Sequence, residues 1–309
     1  MLTIRPHQAD RLLKATGKLI GKTPLFLIRH AFNKANVRIY AKLEWLQLGS
    51  SVKARPAFHM ISQAVASGEL TSYRHILDAT SGNTGIAYAA IGARLGIPVT
   101  IFMSETASKE RSTILKALQT NIIYTSAPTT GDEAQQMALS LFKKQPNRYF
   151  HINQYGNENN WKAHYQTTAQ EIYRQTRGRV THFVAGLGTT GTLVGTGRRL
   201  QELNPAIRLI ALQPDVSTHL LEGWKHLGSS TAPAIYDASL AHQTLAVSTE
   251  EAYEWIKRVA VKEGLLLSPS SAAALAGAVQ VAEQIDEGII VTVFADSADK
   301  YGEVINSLF

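Results

Sequence analysis

The sequence predicts an α/β chain of mostly parallel, doubly wound sheets, and three observations carry that prediction. Short β-branched runs alternate with helix-length patterns along the 309 residues. Most of those runs are apolar at successive positions, as strands covered by helices on both faces must be. Charged residues make up 18% of the chain and apolar residues 45%. An average soluble chain carries ~25% charge, so several elements here are expected to lack a solvent face.

The first strand expected is Arg38 to Glu44, followed by a helix from Pro56 to Ser67. Pro56 suits a first helical turn, where its missing N–H costs nothing. Three strand–helix pairs come next: His75 to Ala79 with Gly85 to Leu95, Val99 to Met103 with Lys109 to Gln119, and Asn121 to Thr125 with Asp132 to Lys144. Tyr149 to Ile152 then precedes a helix over Trp161 to Thr176, and His182 to Ala185 precedes one over Thr192 to Leu203. Arg208 to Leu212 leads to a helix over Thr249 to Glu263, where Ser248 and Glu251 read as a capping box. A helix over Ser271 to Ile285 and a strand over Ile289 to Phe294 complete the pattern. No repeat or Pro/Ser-rich linker interrupts it, so any two domains are intertwined.

Composition excludes several classes. Cysteine is absent, which removes disulfides, thiolate metal sites and a catalytic thiol. No run approaches the ~20 apolar residues of a membrane span. Met1 to Lys18 carries Arg5, Asp10, Arg11 and Lys14, unlike a signal peptide. A cytoplasmic enzyme is the expectation. The net charge is +7, from 31 basic and 24 acidic residues, but the basic residues are scattered, where a nucleic-acid protein would cluster them. The ten histidines show no paired ligand spacing, so no metal is expected. The commonest serine-hydrolase signature is missing as well.

Function in doubly wound sheets gathers at the carboxyl ends of the strands. After His182 to Ala185 comes Gly186-Leu187-Gly188-Thr189-Thr190-Gly191-Thr192, opening a helix. The N–H groups of a helix start favour an anion, most simply a phosphate. Gly186, Gly188 and Gly191 also spell the dinucleotide fingerprint, with Asp215 as its acidic residue. That reading would make the chain a nicotinamide dehydrogenase, but the loop lies past the middle of the chain and holds three threonines. A glycine turn with no ligand is the bland alternative.

Thr80-Ser81-Gly82-Asn83-Thr84-Gly85 follows His75 to Ala79 in the same way. Its hydroxyls, amide and helix-start N–H groups suit a carboxylate. A helix cap needs only one such residue. Upstream, Ser51-Val52-Lys53 runs into a helix, where the dipole disfavours an ammonium and so favours an amine able to form a Schiff base. Taken alone, Lys53 reads more readily as a surface lysine. A Schiff-base lysine, a phosphate cradle and a carboxylate loop together describe a pyridoxal-phosphate (PLP) enzyme acting on an amino acid.

The motifs resemble those of the cysteine synthase family, the O-acetylserine sulfhydrylases among fold-type II PLP enzymes, and most closely its B branch. The resemblance runs through Gly21-Lys22-Thr23-Pro24-Leu25, Lys42-Leu43-Glu44, Ser51-Val52-Lys53, Thr80 to Gly85, Ser108 to Arg111, Thr181 to Thr192, Leu212-Gln213-Pro214, and Glu263-Gly264 to Ser271. It implies a tryptophan synthase β-like fold of two lobes with PLP in the cleft between them. The smaller, mobile lobe would span 46–155, and the larger would combine 1–45 with 156–309. Lys53 matches the PLP lysine that also moves the α-proton. Gly188, Thr189, Thr190, Gly191 and Thr192 match the phosphate loop. Asn83 matches the amide on the ring hydroxyl, and Ser270 the partner of the pyridine nitrogen, with Ser271 as fallback. Thr80, Ser81, Thr84 and Gln154 match the grip on the substrate carboxylate.

The activity implied is β-replacement on an O-activated L-serine, O-acetylserine first, with sulfide or a related nucleophile. The product is L-cysteine or another β-substituted alanine, and the family norm is a homodimer. A PLP-binding relative with weak catalysis is a further alternative. The chain departs from the family at Ala54, at Ala169-Gln170, at Ala272-Ala273 and over Asp296 to Tyr301. Those departures raise thiosulfate, an amine or a second amino acid as nucleophile. Lys225 and His226 are the cations that would serve a phosphate leaving group. Trp45 is a candidate to line the entrance.

Overall fold

A computed structural model describes residues 6–71, 73–80, 82–126 and 131–309. In chain order its elements are α1 (Pro6–Gly17), β1 (Leu25–Leu27), β2 (Val37–Leu43), α2 (Ala54–Ala66), β3 (His75–Ala79), α3 (Asn83–Leu95), β4 (Val99–Ser104), α4 (Lys109–Ala117), β5 (Asn121–Thr125), α5 (Gly131–Lys144), β6 (Tyr149–His151), α6 (Asn159–Gln166), α7 (Thr168–Gln175), β7 (His182–Gly186), α8 (Gly191–Leu203), β8 (Arg208–Pro214), β9 (Gln243–Val247), α9 (Thr249–Glu263), α10 (Pro269–Glu283), β10 (Gly288–Phe294) and α11 (Gly302–Leu308). They form two units, Met1–Gly21 with Gln47–Asn159, and Lys22–Leu46 with Asn160–Phe309. No helix among the described residues is long and apolar enough to cross a membrane.

The first unit is a four-stranded sheet of order β5-β4-β3-β6, parallel throughout. Ile76, Ile101, Met60, Ile61, Ile91 and Leu115 fill the core on one face. Leu77, Phe102 and Tyr149 pack under Ala134 and Ala138 of α5 on the other. The N-terminal segment belongs to this unit, where the sequence reading assigned it to the larger lobe. The reason is local packing: Leu12, Leu13 and Ile20 lie against the core of α2 and α3. Arg94 Nε also donates to the buried Thr16 Oγ1 at 3.2 Å.

The second unit is a six-stranded sheet of order β1-β2-β10-β7-β8-β9, parallel except for β1, which runs antiparallel to β2. Helix α10 is buried along almost its whole length and is built largely of alanine. Small side chains let it lie close to the sheet: a Cβ on Gly277 would stand 2.4 Å from Leu212 Cδ2. The buried Ala272 and Ala273 belong to the same contact. Trp45 stacks on Phe294 at 6.4 Å between centroids, so it packs against the core.

Two further departures from the sequence reading have local causes. The single helix expected over Trp161 to Thr176 is two helices, α6 and α7. They are separated at Thr167, whose φ of −120° is not helical and whose Oγ1 donates back to the Ala163 carbonyl at 2.7 Å. The capping box of α9 is half formed. Ser248 Oγ accepts the Glu251 N–H at 3.0 Å, but the Glu251 carboxylate takes the Gln280 amide instead of returning to Ser248.

One buried polar group ties the second unit together. Lys42 on β2 is fully buried and pairs with Glu171 on α7 at 2.7 Å. Its Nζ also donates to the Thr23 carbonyl at 2.9 Å and to Gln175 Oε1 at 3.1 Å. Glu171 accepts the Lys22 N–H at 2.9 Å. Removing one partner of a buried pair strands the other charge. Lys42→Met should therefore lower the stability of this unit by about 3–5 kcal/mol, read as a lower urea midpoint. A loss below about 1 kcal/mol, the scale of an exposed pair, would contradict this account.

Candidate active site

In the first unit the polar turn Thr80 to Thr84 stands at the carboxyl end of β3 and opens α3. The residue that caps α3 is Gly82, and no side chain caps the helix. Thr80 Oγ1 accepts the Gly82 N–H at 3.2 Å. Thr84, buried in the first turn of α3, donates its hydroxyl to Gln154 Oε1 at 2.8 Å. Gln154 follows β6 and returns its amide to the Ala79 carbonyl at 3.3 Å. Asn153 before it adopts a left-handed φ of 51°. The fold thus brings Gln154, seventy residues on, to the turn that carries Thr80, Asn83 and Thr84. Ser81 lies outside the described residues.

Lys53 is the N-cap of α2, which begins at Ala54, two residues earlier than Pro56 suggested. It is partly buried between the buried Val52 and Ala54. Its N–H donates to Ser51 Oγ at 3.3 Å and its carbonyl accepts the Ala57 N–H at 3.0 Å. Helix α2 packs on α3, so lysine and polar turn belong to the same unit. Ala54, which follows Lys53, is fully buried.

In the second unit the glycine loop joins β7 to α8. Thr190 is the N-cap of α8 with a left-handed φ of 69°, a rare conformation for a β-branched residue. Holding it costs roughly 1–3 kcal/mol. Its Oγ1 is buried without a hydrogen-bond partner. The glycines serve the chain itself. A Cβ on Gly188 would lie 2.2 Å from the Gly223 carbonyl oxygen, and one on Gly186 would enter the Trp224 ring. The Lys225 N–H donates to the Leu187 carbonyl at 2.7 Å, fixing that segment in place. The space beside Gly186 and Gly188 is therefore filled by the chain, so their small size does not mark room for a dinucleotide. The acidic residue of the dinucleotide pattern, Asp215, is exposed beyond β8. Helix α8 carries no acidic residue in its first turn, so its unmatched N–H groups keep their pull on an anion.

Two serines at the start of α10 have different employment. Ser268 is the N-cap, and its Oγ accepts the Ser271 N–H at 3.2 Å. Ser271 is fully buried; its hydroxyl donates to the Asp296 carbonyl at 2.7 Å and accepts the Asp296 N–H at 3.3 Å. Ser270 has only a 3.3 Å contact with Ser268 Oγ. Its hydroxyl is the less committed of the two.

Three residues of these turns carried no motif. Asp78, the only acid in the run from His75 to Ala79, is 1% exposed. It accepts from the Ala79 N–H at 2.9 Å, the Tyr88 hydroxyl at 3.1 Å and the Gln154 N–H at 3.4 Å. Burial pushes its carboxyl up to about 7, against those three bonds. Asn160 and His164, one turn apart on α6, back the glycine loop. A Cβ on Gly191 would lie 2.1 Å from Asn160 Oδ1, and His164 Nε2 is 3.4 Å from Thr192 Oγ1. An acid inside an apolar strand was a readable signal. The i, i+4 pair became legible only once α6 lay against α8. Lys225 and His226 bond within their own turn, to the Thr231 carbonyl at 3.5 Å and to Ser229 Oγ at 2.9 Å.

Comparison with known proteins places this arrangement. The family model described as pyridoxal-phosphate dependent enzyme matches residues 17–296. A cysteine synthase of Aquifex aeolicus is 43% identical over 291 residues, covering 92% of this chain and 89% of that protein. A cysteine synthase B of Salmonella typhimurium is 34% identical over 282 residues, covering 91% and 92%. Among solved structures, O-acetylserine sulfhydrylase isoform 3 of Entamoeba histolytica superposes with a TM-score of 0.87 at 30% identity, over 96% of this chain and 95% of that one.

Two stability tests follow from the geometry. Ser271→Ala strands the Asp296 backbone and should cost about 1–3 kcal/mol, whereas Ser270→Ala should cost well under 1 kcal/mol in chemical unfolding. Equal losses would contradict the division of labour. Asp78 is raised above its ordinary 3.8, so the folded chain holds its proton more tightly than the unfolded one. Its stabilising contribution is complete below that value and is lost as pH rises through about 7. Unfolding free energy should fall between about pH 4 and pH 7, and Asp78→Asn should flatten that slope. A slope unchanged in the variant would show that Asp78 is not its source.

Proposed function

This chain belongs to the pyridoxal-phosphate dependent enzyme family, in its cysteine synthase group, and from that membership we propose that it makes L-cysteine from O-acetyl-L-serine and sulfide. The chain's own features fit the cofactor. The buried, unmatched Thr190 Oγ1 and a helix start without an acidic neighbour suit a phosphate. Bound pyridoxal phosphate supplies an electron sink that makes the α-proton of an amino acid labile and lets a β-substituent leave.

The remaining work falls to side chains. Gly188, Thr189, Thr190, Gly191 and Thr192 hold the phosphate through N–H groups and hydroxyls. Asn83 bonds the ring oxygen through its amide. Ser270 serves the ring nitrogen, and what supports it over Ser271 is the full commitment of Ser271 to Asp296. A serine hydroxyl brings no anion to the ring nitrogen, where an Asp would hold a proton there. The ring is then a weaker sink, which favours closely coupled loss of the α-proton and the β-substituent. Thr80, Ser81, Thr84 and Gln154 bind the substrate carboxylate.

The Lys53 amine carries the cofactor, takes the α-proton as the Cβ–O bond breaks and acetate departs, and returns a proton once the Cβ–S bond has formed. Departure of acetate before sulfide adds would give ping-pong kinetics. The enzyme works as a homodimer in the cytoplasm, a reading that rests on the family resemblance of its motifs.

The observation that supports the proposal is the bond from Thr84 to Gln154 at the opening of α3, which sets two candidate carboxylate-binding residues side by side in the unit that bears Lys53. Steady-state assays with O-acetylserine against sulfide, thiosulfate, an amine and a second amino acid test it. Sulfide should lead, and Lys53→Ala should lower kcat/KM by at least about 1,000-fold, a loss of about 4 kcal/mol in transition-state stabilisation. Substantial activity in that variant, or a different leading nucleophile, would overturn the lysine's role or the substrate respectively.

A further inference from the structure

Asp78 is a buried acid that the mechanism leaves unused. Asp78 sits at the last turn of β3 before the polar loop, and its two oxygens reach three chain segments. Oδ1 takes the N–H of Ala79. Oδ2 takes the hydroxyl of Tyr88 on α3 and the N–H of Gln154 after β6. Gln154 in turn is bonded to the Ala79 carbonyl and to the Thr84 hydroxyl. A closed ring of hydrogen bonds therefore links the end of β3, the opening of α3 and Gln154. Every residue described in the candidate carboxylate grip lies on or beside that ring.

We propose that Asp78 is a positioning residue for the amino-acid substrate: its carboxylate sets Gln154 and the first turns of α3 where they grip the substrate carboxylate. The inference rests on the reading of Thr80 to Thr84 and Gln154 as that grip. All three groups bonded to Asp78 are donors in this network, so only the ionised form accepts from each of them without rearrangement. A protonated Asp78 brings a fourth donor into a closed, buried ring, and one bond has to break or reverse.

The groups packed around it do not titrate with it. Tyr88 faces it from α3, and burial together with Asp78 itself pushes that phenol well up. Tyr155, after β6, is pushed up by burial, by Asp78 and by Asp132 of α5. The neighbouring strand β4 presents Ile101 in register with Asp78. The Asp78 carboxyl itself stands at about 7. The grip should thus loosen as pH falls through neutrality, while the chemistry at Lys53 continues on substrate that is bound.

The test compares wild type, Asp78→Asn and Tyr88→Phe as holoenzymes. KM for O-acetylserine and kcat are measured from about pH 6 to pH 9. In parallel, calorimetry measures the binding of L-alanine, which has the carboxylate and amine but no leaving group. Wild type should bind alanine and O-acetylserine more weakly at the acid end. Asp78→Asn should raise KM and the alanine Kd about ten-fold at pH 8, with kcat within about three-fold, and make both nearly independent of pH. Tyr88→Phe removes one bond to the ionised form and should move the midpoint of the profile to higher pH, which decides the matter if Asp78→Asn fails to fold. Unchanged KM, Kd and pH profile in the folded variants would overturn the inference. A wild type that turns over O-acetylserine but binds it equally at all pH values would also overturn it. A wild type without O-acetylserine activity would instead overturn the functional reading beneath it.

Discussion

Parallel strands deliver helix starts. At the carboxyl end of each strand that leads into a helix, the first turn leaves backbone N–H groups without partners and a positive dipole end. What the chain does with those groups decides where it has a site. Helices α4, α5, α7 and α9 receive acidic residues in their first turn. Helices α2, α3, α8 and α10 do not. These four are the helices that open at Lys53, at the Thr80–Thr84 turn, at the glycine loop and at Ser270. Helices α1 and α6 also lack an acidic start, so that absence marks a site only together with the polar turn before it.

The cost of keeping those ends open is visible in the second unit. Thr190 holds a left-handed backbone that a threonine rarely adopts, and its hydroxyl is buried without a partner. Gly186 and Gly188 are small because Trp224 and Gly223 press against them, and that pressure holds the loop in shape. The first unit has its own strained point at Asn153, whose left-handed turn precedes the inward-facing Gln154. Asp78 belongs to the same economy: its ionised form is the less stable one and also the one that satisfies the surrounding donors. A protein optimised for stability alone would have no reason to keep a carboxyl there.

The sequence made the strands and helices legible because burial on both faces writes long apolar runs with polar turns between them. Lys53, Asn83, Thr189 and Thr190 were legible because their turns concentrate polar residues beyond what capping requires. The short strands β1 and β9 escaped notice: both lie at a sheet edge, and of their residues only Val247 is buried. The break at Thr167 was hidden because the residues around it suit a helix: its N–H still bonds to Ala163 and its carbonyl to the Glu171 N–H, and only its φ of −120° departs. The glycine loop was misleading in its spacing. Gly186, Gly188 and Gly191 fit a dinucleotide pattern, yet the space each leaves is taken by Trp224, Gly223 and Asn160. The partners of Asp78 are ten and seventy-six residues away, and no local pattern connects them.

The central claim is that this chain uses pyridoxal phosphate for β-replacement on an activated serine. The visible absorption spectrum of the purified protein tests it most directly, taken before and after O-acetylserine is added without a nucleophile. The account predicts a yellow protein whose band shifts on that addition and returns when sulfide is supplied, with L-cysteine released. A colourless protein that pyridoxal phosphate cannot reconstitute would contradict the account at its root.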